Sequence, residues 1–202
     1  MTDQKTDQKT GQTAGWPALP VRNGEPAVPD GWRQEWERAE LRDGVPVLVR
    51  RYADPDGTPG ERLMTVTRRR DGLLYSISDR RAFRGALPAP DDARALAAAA
   101  WAELSPGLGD EQTFLRAQAQ ERAIADPAGT RIPVLWLKFA HASTGTFGWV
   151  TVGPGGAIVE IEHLVSWDYR ASRRRTEMWD DDAWLAAREG RGPQLPSPAA
   201  LA

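Results

Sequence analysis

The residues best suited to chemistry lie in the segment 160–168, which reads EIEHLVSWD. Its β-branched and aromatic residues favour a strand, in which alternate side chains point to the same face of a sheet. Glu160, Glu162 and Asp168 would then share one face. His163 would lie on the other face among apolar neighbours, where burial can tune its pKa so that it acts as an acid, a base or a ligand.

Two interpretations of this strand remain open. In the functional one, His163 and His141 line a pocket together with one of the three carboxylates. In the structural one, His163 is a core residue that hydrogen-bonds a backbone carbonyl or a tyrosine. Carboxylates two residues apart on a strand are separated by about 7 Å, too far to share a proton by default. Glu160 and Glu162 are therefore predicted to form a solvated sheet face.

Other catalytic and cofactor-binding signatures are absent from the sequence. There is no GxxxxGK[ST] phosphate loop, no GxGxxG fingerprint, no HExxH motif and no GxSxG elbow. The chain has no cysteine and two histidines, so a zinc site would need carboxylates to complete it. We predict no metal and no cofactor, and we favour a protein without enzymatic activity.

Arginine and aromatic residues form the second set of candidates. Arginine and tryptophan are enriched at protein interfaces, and arginines interleaved with aromatic rings also suit nucleic acid. The formal net charge of −2 and the acidic run at 180–182 argue against nucleic acid as the first choice. The predicted binding residues are Arg68, Arg69, Arg70, Trp167, Tyr169, Arg173, Arg174, Arg175 and Trp179.

Apolar and β-branched runs between turn-forming residues predict antiparallel hairpins. Asp71-Gly72 and Gly153-Pro154-Gly155-Gly156 are the predicted turns. Residues 110–124 fit a helix, whereas residues 118–125 also fit an alternating strand, and both readings stay open. The predicted strands are 36–41, 45–52, 62–69, 73–78, 135–141, 147–152 and 157–169.

Two segments predict helices. Residues 91–104 have apolar side chains at helical spacing, with Asp91 and Asp92 at the end where the helix dipole favours carboxylates. Residues 180–188 predict a shorter helix. The stripe of the longer helix consists of Ala93, Leu96, Ala97, Ala100, Trp101 and Leu104. The predicted fold class is α+β, with antiparallel β-meanders and helices packed on one face of the sheet.

The middle of the chain predicts two pseudo-repeated halves, because short matches recur in the same order. We predict a first meander-plus-helix half at 30–106 and a second at 107–190. A polar, proline-rich tail at 1–29, disordered or loosely ordered, and a proline-rich tail at 191–202 flank them. The matches pair residues 37–39 with 121–123, 45–48 with 132–135, 66–67 with 150–151, 71–72 with 155–156, and 91–92 with 180–181.

The remaining observations concern the location and the function of the protein. The N-terminus has no apolar core typical of a secretory signal, and no apolar run approaches the length of a membrane helix, so we predict a cytoplasmic protein without membrane contact. Arginine richness with few lysines fits a GC-rich bacterial genome. We predict a non-enzymatic interaction protein of adaptor, chaperone-like or immunity-like type, with another protein or a second copy of itself as partner. The alternatives are a small-ligand binder or enzyme that uses the histidine pocket, and a nucleic-acid-binding protein.

Overall fold

A computed structural model describes residues 21–22, 25–104, 112–124 and 128–200. Eight strands form a single antiparallel sheet that dominates the structure. A two-stranded ladder, β1 (Val21–Arg22) with β2 (Glu25–Pro26), precedes it. The sheet strands are β3 (Arg33–Arg42), β4 (Val45–Ala53), β5 (Leu63–Arg68), β6 (Leu74–Asp79), β7 (Gln112–Ala123), β8 (Arg131–His141), β9 (Thr146–Val152) and β10 (Ile158–Val165).

The strands form two up-and-down meanders that join side by side. Their order in the sheet is β3-β4-β5-β6-β10-β9-β8-β7, so β3 and β7 are the edges. The meanders meet where β6 pairs with β10, with Ile77 opposite Ile161. The predicted antiparallel meanders are confirmed. Between residues 112 and 123 the strand reading is correct and the helix reading is wrong.

Two helices accompany the sheet, and a small hairpin precedes the second. Along the chain, helix α1 (Pro90–Leu104) follows the first meander and precedes the second. After β10, strands β11 (Trp167–Asp168) and β12 (Arg173–Arg174) pair, and helix α2 (Asp182–Arg188) follows. The predicted stripe of α1 is buried from Ala93 to Trp101, while the side chain of Leu104 lies outside the described residues.

The two helices pack on opposite faces of the sheet, so the prediction that helices share one face is wrong. Leu63 and Met64 are neighbours on β5, yet Leu63 belongs to the core around α1 and Met64 to the core around α2. Strand β5 supplies buried apolar side chains to both faces, and both faces therefore need a cover. We call the two sides of the sheet the α1 face and the α2 face.

The sheet curls toward its α2 face. Arg42 on β3 lies four strands away from β10, which would place it about 19 Å away in a flat sheet. Its guanidinium nevertheless donates to the Glu162 carboxylate at 3.1 Å. The α2 face is therefore concave, and side chains from distant strands meet on it.

Three of the five repeat matches fall on corresponding strands and turns of the two meanders, namely 45–48 with 132–135, 66–67 with 150–151, and 71–72 with 155–156. The match of 37–39 with 121–123 lies on the first strand of each meander but out of register, because Arg38 lies opposite Val49 whereas Arg122 lies opposite Ile132. The match of 91–92 with 180–181 joins the starts of the two helices, which pack on opposite faces. Val45 and Ile132 are matched positions of the two halves. Val45 lies opposite Arg42 and Ile132 lies opposite Arg122, so Arg42 is the counterpart of Arg122. A true duplication stays a prediction.

The predicted tails are described in part. Residues 1–20, 23–24 and 201–202 lie outside the described residues, so the prediction of a loosely ordered N-terminal tail concerns mostly residues that the structure does not describe. In the C-terminal segment, Leu195 and Ala200 pack into the core around α2. The carbonyl of Pro198 accepts a hydrogen bond from the N–H of Arg174 at 3.0 Å.

Candidate binding face and arginine–carboxylate cavity

The carboxylates of β10 are buried on the α2 face. Glu160 and Glu162 alternate with the apolar Ile161 and are 9% and 4% exposed. The prediction that they form a solvated sheet face is wrong. The curl of the sheet brings arginines over them, and a carboxylate can be buried when such partners replace its water.

Glu160 is held by two arginines and a hydroxyl. The guanidinium groups of Arg80 and Arg122 donate to it at 2.7 and 2.9 Å, and the Thr151 hydroxyl donates at 2.8 Å. Burial alone would raise the pKa of Glu160, but the two positive charges and the hydroxyl outweigh it and lower the pKa to about 2. Glu160 is therefore ionised at neutral pH.

Glu162 joins distant parts of the chain. Both terminal nitrogens of Arg174 on β12 donate to it, one of them at 2.9 Å, and Arg42 donates from the edge strand β3. Arg42 also donates to the carbonyl of His163 at 2.9 Å. These charge-assisted bonds fasten the β11–β12 hairpin and β3 to the centre of the sheet.

A third carboxyl group completes the cluster. Asp180, which immediately precedes the N-cap Asp181 of α2, is 9% exposed. Burial, reinforced by the negative charge of Glu162, raises the pKa of Asp180 to about 7, although Arg174 acts in the opposite direction. Asp180 therefore exchanges a proton near neutral pH, unlike Glu160.

A cavity of about 260 Å³ lies beside these groups. Its polar lining combines arginines with the carboxyl groups already described, and two tryptophans form an aromatic wall. The lining includes Ser78, Arg80, Trp136, Trp149, Glu160 and Asp180.

The cavity opens next to an aromatic surface with positive charge, which we call the aromatic–basic face. It consists of Arg116, Trp136, Lys138, Phe147 and Trp149, all on the α2 side of β7, β8 and β9. The two indole rings are 5.8 Å apart, the Arg116 guanidinium lies 5.7 Å from the Trp136 ring, and Nζ of Lys138 lies 3.9 Å above Phe147. Partial burial, with Arg116 nearby, lowers the pKa of Lys138.

The two histidines lie elsewhere, on the α1 face. His163 and His141 are fully buried, and each packs edge-on against Trp101 of α1 with ring centroids 6.0 and 6.2 Å away. Nε2 of His163 contacts the carbonyl oxygen of Leu74 at 2.5 Å. Burial lowers the pKa of His163 to about 3, so this ring is neutral at physiological pH.

The structure brings the histidines together but separates them from the carboxylates. Glu160 and Glu162 point to the opposite face from His163, as strand alternation predicts. Asp168 instead uses Oδ1 to accept the N–H groups of Arg170 and Ala171 in the β11–β12 turn. These contacts match the structural interpretation of His163.

The predicted binding residues are divided among three places. Arg68, Arg69 and Arg70 lie at the β5–β6 turn and line an open groove of about 680 Å³, although Arg68 also pairs with Asp71 at 2.5 Å. Trp179 is buried against Trp184 beneath α2. The others lie on the β11–β12 hairpin, where Trp167 and Arg173 are half-buried, Tyr169 and Arg175 are exposed, and Arg174 is buried on Glu162.

Sequence reasoning missed the residues that assemble on the concave side. Arg80, Arg122, Trp136, Trp149 and Asp180 come from five separate segments, and their spacing along the chain shows no motif. The one available signal was the pair of carboxylates on an apolar strand, since buried carboxylates require cationic partners. Which arginines supply that charge depends on the curl of the sheet.

Comparisons with known proteins leave the family open. No protein-family model matches the chain, and no curated protein and no solved structure matches it significantly. Within the described ranges, no helix has the length and apolar composition required to cross a membrane. In the same ranges, no group of three or more histidine, aspartate or glutamate side chains is placed to hold a metal ion.

Proposed function

We propose that this is a non-enzymatic interaction protein, of adaptor, chaperone-like or immunity-like type, that binds an acidic segment of another protein through the aromatic–basic face. The observation that supports this proposal is the half-buried pair Trp136 and Trp149 on the α2 side of the second meander. The other side of the same strands is covered by α1. Tryptophan at the centre of a binding surface contributes large contact area for little loss of conformational freedom.

The charge of the face favours an acidic partner. Among the described residues, neither Arg116 nor Lys138 takes part in an ion pair. The two cations are close enough for Arg116 to lower the pKa of Lys138. A carboxylate on a partner would relieve this repulsion, and apolar side chains beside it would cover the indole rings.

The neighbouring edge strand supports an extended partner. Strand β7 is 12 residues long, and within the described part of the chain it pairs only with β8, so one side of its backbone faces away from the sheet. An extended segment can pair with such an edge while its side chains reach the adjacent face. Alternate residues of the partner would then lie over Trp136 and Arg116.

The test uses synthetic peptides and matched charge reversals. A fluorescein-labelled peptide of alternating aspartate and leucine is titrated with the protein, and a lysine–leucine peptide serves as the sequence control. We expect Trp149→Ala and Lys138→Glu each to weaken binding of the acidic peptide by about 2 kcal/mol, or roughly thirtyfold. The exposed Arg69→Glu has the same charge change away from the face and should leave the affinity unchanged.

Two results would reject the proposal. One is equal affinity for the acidic and basic peptides. The other is a chain that is dimeric by light scattering and becomes monomeric with Trp149→Ala, because the face would then be covered by a second copy.

Nucleic-acid binding is the second candidate, supported by the groove lined by Arg68, Arg69 and Arg70. A run of phosphates could follow these side chains. Here Arg69→Glu should weaken binding of a single-stranded oligonucleotide, with an affinity that falls steeply with salt, while Lys138→Glu should not. The absence of a salt-dependent shift would remove this candidate.

We also propose that the two meanders arose by duplication. Three of five sequence matches at corresponding strands and turns support this origin, and so does the correspondence of Arg42 and Arg122, each of which binds one glutamate of β10. Sequence relatives provide the test. Their two halves should align with Arg42 opposite Arg122, and an alignment that requires Arg38 there would contradict the structural correspondence.

A further inference from the structure

The cavity beside Glu160 continues the aromatic–basic face, because Trp136 and Trp149 belong to both. A partner that covers the two indole rings would therefore extend over its mouth. At about 260 Å³ the cavity is the size of one side chain or a very small ligand rather than of a cofactor. The donors and acceptors in its walls determine which chemical group it would bind.

Two buried donors in the cavity wall have no partner. Nη1 of Arg80 and Oγ of Ser78 are both buried without a hydrogen-bond partner among the described residues. The Arg80 side chain is 12% exposed, and its other terminal nitrogen, Nη2, donates to Glu160 at 2.7 Å. A buried guanidinium with an unused N–H group is costly, so a group that accepts from it would be bound with a gain in stability.

The glutamate acceptors of the cavity, by contrast, are already engaged. Glu160 accepts from Arg80, Arg122 and Thr151, and Glu162 accepts from Arg174 and Arg42. The wall therefore offers donors to a ligand more readily than acceptors. The complementary ligand group is an oxygen acceptor, and next to a guanidinium an anionic oxygen gives the stronger bond.

The carboxyl groups around the cavity limit the charge of this anion. Glu160, Glu162 and Asp180 lie close together, and a second negative charge on the ligand would be repelled by them. A singly charged carboxylate satisfies the donors with less repulsion than a phosphate dianion. A short methylene chain attached to it would pack on the ring of Trp149.

We propose that this cavity binds one carboxylate group, whose oxygens accept hydrogen bonds from Nη1 of Arg80 and Oγ of Ser78, with its methylene stem against Trp149. The inference rests on the proposed function in one respect, since the natural source would be an aspartate or glutamate of the bound partner. A free small carboxylic acid has the same chemistry and is the alternative source. The experiment separates the two.

Asp180 gives this binding a pH dependence. The charged and polar groups that face it are Glu162, Arg174, Arg80, Asp181 and Ser76. Burial raises the pKa of Asp180 to about 7, and a bound carboxylate would raise it further by repulsion. Binding therefore takes up a proton, and the affinity falls as pH rises through about 7.

The test titrates the protein with N-acetyl-glutamate methylamide and follows the indole N–H signals in ¹⁵N-resolved NMR spectra. We expect saturable shifts at Trp149 and Trp136 with this acid and none with the isosteric N-acetyl-glutamine methylamide. Arg80→Lys keeps a cation on Glu160 but removes the second terminal nitrogen, and it should weaken binding by about tenfold. Arg131→Lys, an exposed change on β8 in an ion pair with Glu121, is the matched control and should have no effect.

A second variant covers the case in which Arg80→Lys does not fold. Ser78→Ala removes the other donor with a minimal change of volume, and it should weaken binding by a few-fold. The proposal is overturned if the acid causes no saturable shift, if the folded variants bind like the wild type, or if inorganic phosphate binds as tightly as the acid.

The outcome is separable from that of the proposed function. If the acidic peptide binds through Lys138 while the small acid does not shift the indole signals, the face is right and the cavity proposal is wrong. If the small acid binds but the peptide does not, the cavity takes a free carboxylate instead of a partner side chain. Competition between acid and peptide identifies the partner as the source.

Discussion

The two meanders differ most on the concave α2 face. In the first meander this face is covered, with Val47, Val49 and Met64 packed beneath Trp184 of α2 and the C-terminal segment. In the second meander the same face has the half-buried Trp136 and Trp149. The α2 face of the first meander is therefore covered by α2 and the C-terminal segment of the same chain. The α2 face of the second meander retains a surface of aromatic rings and positive charge.

This difference shows why the arginine–carboxylate cluster lies where it does. Glu160 and Glu162 stand on β10, at the boundary between the covered and uncovered halves. A boundary strand can bury its carboxylates only where cationic partners reach them. Arg42 and Arg174 arrive from the covered side, and Arg122 arrives from the uncovered side.

The largest expected effect tests the covered half. Trp184→Ala should lower the free energy of unfolding by about 4 kcal/mol, because it removes a fully buried ring from the core around α2. Trp149→Ala in the uncovered half should cost about 1 kcal/mol. Urea denaturation measures both, and a loss at Trp149 as large as that at Trp184 would contradict the comparison.

The next effect tests the boundary. Arg174→Ala should cost about 3 kcal/mol, because it deprives the buried Glu162 of its closest cation. Replacing both partners in Arg174→Met with Glu162→Leu should recover only part of the loss, because the buried Arg42 then loses its carboxylate partner. A double variant as unstable as the single one would show that the hairpin contacts matter more than the ion pair.

Stability should also depend on pH in opposite senses on the two faces. The pKa of His163 is lowered from 6.5 to about 3, so the unfolded chain takes up its proton first and stability is lost as pH falls from 6.5 towards 3. The pKa of Asp180 is raised from 3.8 to about 7, so the folded chain holds this proton and stability is lost as pH rises from 3.8 towards 7. Thermal melts across this range should show that Asp180→Asn removes the loss of stability as pH rises towards 7. The loss of stability at acidic pH, which comes from His163, should remain.

The smallest expected effect is on the stability of the uncovered face. Lys138→Glu should change the free energy of unfolding by no more than about 0.5 kcal/mol, since it replaces a half-buried cation beside Arg116 with an anion that can pair with it. A large destabilisation would mean that the face has a structural role in addition to the binding role proposed for it.

The sequence by itself determined the local structure. The strands of the two meanders other than β7, which the sequence left open between helix and strand, the turns and the buried stripe of α1 follow from patterns two or about four residues long, and such patterns depend on neighbours in the chain. The alternation that places His163 on the other face of the sheet from Glu160 and Glu162 was also visible in the sequence. The same information could not show whether those carboxylates face water or protein.

Only the tertiary structure decided the faces and the site. The curl of the sheet brings Arg42 across four strands to Glu162, and the β11–β12 hairpin leads the chain to the opposite face before α2 begins. Both outcomes depend on sums of many packing contacts over the whole sheet. A short sequence pattern carries no information about these long-range contacts. For this reason Arg80, Trp149 and Asp180 were not predicted to meet.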